Sequence, residues 1–204
     1  MMPCILHIPG VNLPNAITLS RLVLAAVFVV AMGFPGLPGY LVALVSFSVA
    51  AATDWLDGYL ARKMGLVTPL GKLLDPLADK ILVCAAFVFM SVLDFAPVWV
   101  TALIIGREFL VTGLRQIAVE AGQVLAADRL GKWKTTFQLI FIIAGLVQLC
   151  CLALDEAGPF LQFMTGLTAR DGLVIQPSLW ISLALTVISG GNYVWSGRHL
   201  LVGK

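Results

Sequence analysis

The chain has 204 residues, 60% of them hydrophobic and only 12% charged, with a mean hydropathy of +0.98. A water-soluble domain carries about a quarter charged residues, so a soluble globular enzyme is excluded and a polytopic membrane protein is expected. The formal net charge of +2 offers no basic surface for nucleic acid.

Residues 1–14 are broken by Pro3, Pro9 and Pro14. Their apolar positions Leu6, Ile8, Val11 and Leu13 suit a short juxtamembrane segment, and the absence of a basic n-region argues against a cleaved signal peptide. A first span is expected over 15–33, with Asn15 as its cap and Thr18 and Arg21 in its first turns. Gly33, Pro35, Gly36, Pro38 and Gly39 then form a turn before a second span over 40–62. A third span covers 70–93, capped near Thr68. A fourth covers 98–121 and carries Arg107, Glu108 and Arg115. The fifth runs over 132–154 and the sixth over 177–197, separated by a loop at 155–176. The expected architecture is thus all-α, a bundle of six transmembrane helices forming one domain over residues 1–204. No internal repeat or low-complexity segment interrupts it.

Cys4, Cys84, Cys150 and Cys151 have neither a CxxC nor a metal-ligand spacing and are expected as small buried apolar residues. His7 and His199 are far apart in sequence and are expected at the surface.

Lysine and arginine are distributed unevenly. Arg62, Lys63 and Lys72 flank the 2–3 loop, Arg115, Arg129, Lys132 and Lys134 flank the 4–5 loop, and Arg198 and Lys204 lie in the tail. The opposite side offers only Arg170. The positive-inside rule therefore puts both termini and the 2–3 loop in the cytoplasm.

Four carboxylates interrupt this apolar sequence. Asp54 and Asp57 end the second span, and Asp75 and Asp79 begin the third. Spacings of three and four put each pair on one helical face. The short loop between the spans makes the two faces neighbours. Four negative charges in so small a volume repel unless cations sit among them, and carboxylate oxygens are the ligands that Mg2+ and Mn2+ prefer. One or two such ions are expected, and paired ions suit displacement at phosphorus.

Gly58, Ala61 and Gly71 keep the site open for a ligand or else permit close helix packing. Arg62 is placed to bind a phosphate. Arg107 and Glu108 are either a buried ion pair or, with Arg115, Lys132 and Lys134, part of a pocket for an anionic second substrate. A reading from another class is a non-enzymatic divalent-cation carrier. It would need carboxylates at mid-membrane or at both ends, and here they cluster at one end. An aromatic prenyltransferase also uses paired aspartate motifs, but on distant helices in a longer chain.

The pattern Asp54-x2-Asp57-Gly58-x2-Ala61-Arg62-x8-Gly71-x3-Asp75-x3-Asp79 matches the signature of the CDP-alcohol phosphotransferase family at every defined position. The resemblance extends through Asn15-Ala-Ile-Thr18, Arg107-Glu108, Gly131-Lys132-x-Lys134-Thr135 and Ser189-Gly-x-x-Tyr193, in the manner of the bacterial members that use glycerol phosphate. The 155–176 loop is longer than expected for the family. The resemblance implies a homodimer in the bacterial inner membrane that transfers the phosphatidyl group of CDP-diacylglycerol to sn-glycerol 3-phosphate. It implies that Asp54, Asp57, Asp75 and Asp79 hold the metal ions and that Asp79 is the general base. Gly58, Ala61, Arg62 and Gly71 would shape the nucleotide site together with Asn15 and Thr18. Within the family, inositol phosphate, serine and phosphatidylglycerol are other acceptors. The cluster Arg107, Arg115, Lys132 and Lys134 favours a phosphorylated one.

Overall fold

A computed structural model describes residues 13–64, 69–123, 129–154 and 158–201. Side chains are described for 19–53, 80–123, 130–154 and 158–198. All regular structure among these residues is helical: α1 Leu13–Met32, α2 Leu37–Met64, α3 Pro69–Val92, α4 Val98–Glu120, α5 Arg129–Leu152, α6 Pro159–Leu167 and α7 Ile175–Leu201. The all-α expectation holds, with a correction. The 155–176 loop contains a further helix, α6.

Prolines explain most of the shifted boundaries. Pro14, Pro38, Pro69, Pro159 and Pro177 each lie in the first three residues of a helix. The first turn leaves its N–H groups unpaired in any case, so proline costs nothing there and presets φ. Asn15 is therefore inside the first turn of α1 rather than at its cap. Thr68, expected as a cap for α3, lies outside the described residues, as do His7 and the side chain of His199.

The turns are locally specified. Gly39 begins α2 so close to the end of α1 that a Cβ there would meet the Phe34 carbonyl oxygen at 2.1 Å. After α3, Asp94 adopts φ 59° while the Phe95 N–H reaches back to the Met90 carbonyl at 2.8 Å. That closes a Schellman-type end, and Phe95 buries its ring beneath it.

The core lies where α1, α2, α3, α5 and α7 meet. Phe28 of α1 faces Phe47 of α2 at 5.8 Å and Phe89 of α3 at 6.1 Å between ring centroids. Phe87 of α3 stacks on Phe141 of α5 at 5.4 Å. Among the described residues, α1 packs along both α2 and α3, with the Phe28 ring as the wedge. Cys150 and Cys151 are buried and Cys84 is half-buried, all three as free thiols, in accord with an apolar role.

The outer face of the bundle is apolar, and its largely apolar interior also holds polar side chains. Ser46, Thr101, Glu108, Lys134, Gln148, Ser182, Thr186 and Ser189 are buried, while Val23, Val30, Val45, Val88, Leu103, Phe109 and Val187 face outward. Many of the buried hydroxyls bond their own helix, as Thr186 does to the Ser182 carbonyl at 2.6 Å. Among the described residues one segment, Leu130–Leu152, is long and apolar enough by itself to cross a membrane. Leu19–Met32, Leu37–Thr53 and Lys80–Val92 are apolar but shorter. In α4 the charges of Arg107, Glu108 and Arg115 interrupt the apolar run. In α7 the polar residues Gln176, Ser178, Ser182, Ser189 and Asn192 dilute it.

Candidate active site

The signature residues fall at one end of the bundle. Asp54, Asp57, Gly58, Ala61 and Arg62 lie in the last turns of α2. Gly71, Asp75 and Asp79 lie in the first turns and the middle of α3. Four residues, 65–68, connect the two helices. Asn15 and Thr18 lie in the first turns of α1, which runs antiparallel to α2 across the short 33–36 connection. The side chains of all these residues lie outside the described set. As a donor set, four carboxylates on two helices fit hard divalent ions. Elsewhere among the described residues no three metal-ligating groups come together.

The described part of the site begins one residue after Asp79. Lys80 Nζ donates to Glu108 Oε2 at 2.7 Å. Lys134 Nζ donates to Glu108 Oε1, with both side chains only 3% exposed. Arg107 approaches the same carboxylate oxygen at 3.5 Å. The ion pair thus joins α3, α4 and α5.

Arg107 also reaches α7. Its Nη2 donates to Ser189 Oγ at 2.8 Å, and its guanidinium lies 5.8 Å from the centre of the Tyr193 ring. Gly190 leaves space for it, since a Cβ there would lie 3.0 Å from Arg107 Cγ. Arg115, two turns further along α4, donates to the Tyr193 hydroxyl and lies 4.9 Å from that ring. Tyr193 therefore holds two guanidiniums, by cation–π attraction and by its hydroxyl.

Among the described residues, Lys80, Arg107, Arg115 and Lys134 are four cations around the one carboxylate of Glu108, an excess of three positive charges. Among the described residues, the buried donors Arg107 Nε and Gln138 Nε2 have no hydrogen-bond partner. Buried donors are ordinarily paired, so these two suit a ligand rich in oxygen acceptors.

The structure gathers Arg107, Arg115 and Lys134 as the sequence grouped them. The ion-pair alternative for Glu108 is present in the structure, with Lys80, Lys134 and Arg107 as its partners. Lys132 is separate: it is exposed, two residues and about 200° around α5 from Lys134. The sequence grouping omitted Lys80, Ser189, Tyr193 and Gln138. Gln138 had a legible signal, being a polar residue one turn beyond Lys134 within an apolar run.

Comparison with known proteins bears on the same residues. A family described as CDP-alcohol phosphatidyltransferase matches residues 11–188. A CDP-diacylglycerol–glycerol-3-phosphate 3-phosphatidyltransferase of Bacillus subtilis is 40% identical over 194 residues, covering 89% of this chain and 93% of that protein. A protein of the same description from Pseudomonas fluorescens is 41% identical over 138 residues, covering 65% of this chain and 70% of its own length. A probable phosphatidylglycerophosphate synthase of Mycobacterium tuberculosis is 37% identical over 186 residues, covering 90% and 80%. With the match covering α1 to α6 and the first half of α7, the chain belongs to the CDP-alcohol phosphatidyltransferase family.

Proposed function

We propose that this chain transfers the phosphatidyl group of CDP-diacylglycerol to sn-glycerol 3-phosphate, forming phosphatidylglycerol phosphate and CMP. The observation that carries the choice of acceptor is the surplus of three positive charges among the described residues where α3, α4, α5 and α7 meet, beginning one residue from Asp79. A phosphate monoester complements that charge and serine does not. The relatives named for glycerol 3-phosphate favour it over inositol phosphate or phosphatidylglycerol.

Asp54, Asp57, Asp75 and Asp79 would hold Mg2+ or Mn2+, two per site. When bound, the ions neutralise the diphosphate and the departing phosphate. Gly58, Ala61, Arg62 and Gly71, with Asn15 and Thr18, form the nucleotide site. Arg107 and Arg115, oriented by Ser189 and Tyr193, hold the acceptor's phosphate, while Lys134 and Lys80 add positive field. Asp79 takes the proton of the acceptor's free primary hydroxyl. That oxygen forms a bond to the phosphorus that carries diacylglycerol. The bond from this phosphorus to the oxygen shared with the CMP phosphate breaks, and CMP leaves with the electron pair.

In this reading α1 to α5 and α7 cross the bacterial inner membrane, with the site and both termini in the cytoplasm. The lipid substrate enters from the inner leaflet and the phosphorylated acceptor from the cytosol. The working form is a homodimer. The outward apolar side chains and the inward polar ones support the membrane placement.

The deciding experiment is CMP release by purified protein supplied with CDP-diacylglycerol and a panel of acceptors. Turnover with sn-glycerol 3-phosphate alone is expected. Preferential turnover with inositol phosphate, serine or phosphatidylglycerol would replace the proposed acceptor.

A further inference from the structure

Helix α6 lies at the end of the bundle remote from the aspartate signature, between the C-terminus of α5 and the N-terminus of α7. None of its nine residues is buried. Nor is any of them ionisable. An isolated helix of nine residues is marginal in water, so its stability has to come from what covers its faces. One face is accounted for. Gln148 of α5 donates its amide N–H to Oγ1 of Thr168, directly after α6, at 2.8 Å, and Leu161 and Met164 turn toward the same side. Arg170, in the turn that follows, lies over the Phe95 ring at 5.1 Å.

The other face is unaccounted for among the described residues. Phe160 and Phe163, three residues apart, are 75% and 64% exposed, and Leu173 in the turn is 84% exposed. This apolar surface continues that of its neighbours. Leu152 and Leu154 at the end of the apolar helix α5 are exposed, and so are Trp99 and Trp180, whose rings lie 6.0 Å apart on α4 and α7. Tryptophans cluster where lipid headgroups begin. Trp180 is in the second turn of α7, just after the turn that contains Leu173.

We infer that α6 is an interfacial helix, lying in the plane of the lipid surface at the side opposite the active site, with Phe160, Phe163 and Leu173 inserted among the acyl chains. The occupant of its outer face is phospholipid. The apolar residues around it already form the lateral surface of the bundle, and α6 has no charge with which to select a polar partner. The helix accounts for the length of the 155–176 segment. It closes the far end of the α5–α7 pair and fixes how deep the bundle sits. This inference rests on the membrane reading given above.

The test places an environment-sensitive fluorescent amino acid at position 160, 163, 162 or 140, one at a time, in full-length protein reconstituted in phosphatidylcholine vesicles. Quenching by acyl chains brominated near their carbonyl end is compared with quenching by aqueous iodide. Ile140, on the exposed side of α5, reports whether the bundle is embedded at all. Expected is severalfold stronger lipid quenching at 160 and 163 than at 162, with weak iodide quenching. Iodide quenching at 160 and 163 equal to that at 162, with position 140 shielded from iodide, overturns the interfacial helix and leaves the membrane reading intact. Iodide access at 140 as well overturns both. Protection at 160 and 163 from both quenchers shows a protein covering the face and overturns the assignment of lipid. CMP release by each labelled protein establishes that it is folded.

Discussion

Lys80 on α3 and Glu108 on α4 are joined by a 2.7 Å hydrogen-bonded ion pair, so the residue that follows Asp79 is fastened to the middle of another helix. The same carboxylate accepts from Lys134 on α5, which is 97% shielded from solvent. Glu108 therefore sets the register of three helices around the site. Replacing it by alanine leaves a buried lysine without a counter-charge, a change that costs about 3–5 kcal/mol. Glu108→Ala is expected to lower the melting temperature in detergent and to abolish activity. Glu108→Gln keeps one acceptor oxygen and is expected to be intermediate. A melting temperature unchanged by Glu108→Ala would show that the three helices are held without it.

Much of this arrangement was legible in the sequence, for local reasons. The aspartate spacing, the prolines and the charges within 98–121 depend on nearest neighbours along a helix, and they gave the helices and the places of the aspartates along α2 and α3. Tertiary relations were less visible. Nothing in the spacing of Lys132 and Lys134 says which one turns inward, because that depends on where α4 places Glu108. The wedge of Phe28 between α2 and α3 needs three helices to be assembled at once. Helix α6 was missed because nine residues with a Gly and a Thr give too short a periodic signal against a loop background.

Arg115, which bonds Tyr193, and Lys134, buried against Glu108, should respond differently to substitution. Arg115 is exposed and bonds the Tyr193 hydroxyl. Arg115→Glu is expected to fold normally and to raise KM for sn-glycerol 3-phosphate about tenfold, on the order of 1.4 kcal/mol, with little change for CDP-diacylglycerol. Lys134→Glu instead places two buried carboxylates together and is expected to prevent folding. Steady-state kinetics with each substrate varied in turn makes the comparison. Equal effects of Arg115→Glu on both KM values would remove the separate acceptor pocket.

Gly190 gives a finer probe, because it acts only through Arg107. An added methyl would sit 3.0 Å from Arg107 Cγ, so the arginine must move by a few tenths of an ångström away from Ser189. Gly190→Ala is expected to raise the acceptor KM severalfold. Helix propensity improves by about 0.5–1 kcal/mol, so the melting temperature should not fall. A lowered melting temperature with an unchanged KM would mean that Gly190 serves packing alone.

Metal dependence follows from the donor set on α2 and α3. Excess EDTA is expected to stop CMP release, and Mg2+ or Mn2+ to restore it, while Ca2+, larger and looser in its coordination, is expected to restore little. Undiminished turnover in EDTA would leave four carboxylates at one end of an apolar bundle with no account of their neutralisation.

Asp79 is the sharpest case, because it is assigned both to the ions and to the proton. Asp79→Asn removes the basic oxygen but preserves volume and one carbonyl ligand. If the residue takes the proton of the attacking hydroxyl, kcat should fall by about 100-fold or more, within the range general bases contribute. Binding of CDP-diacylglycerol, measured by titration in detergent with Mg2+ present, should weaken little, since Asp54, Asp57 and Asp75 remain. If it serves only as a metal ligand, binding and turnover should decline together, and raising the Mg2+ concentration should restore both. Retained kcat in Asp79→Asn would remove it from the chemistry and shift the search for a base to the other aspartates of the signature.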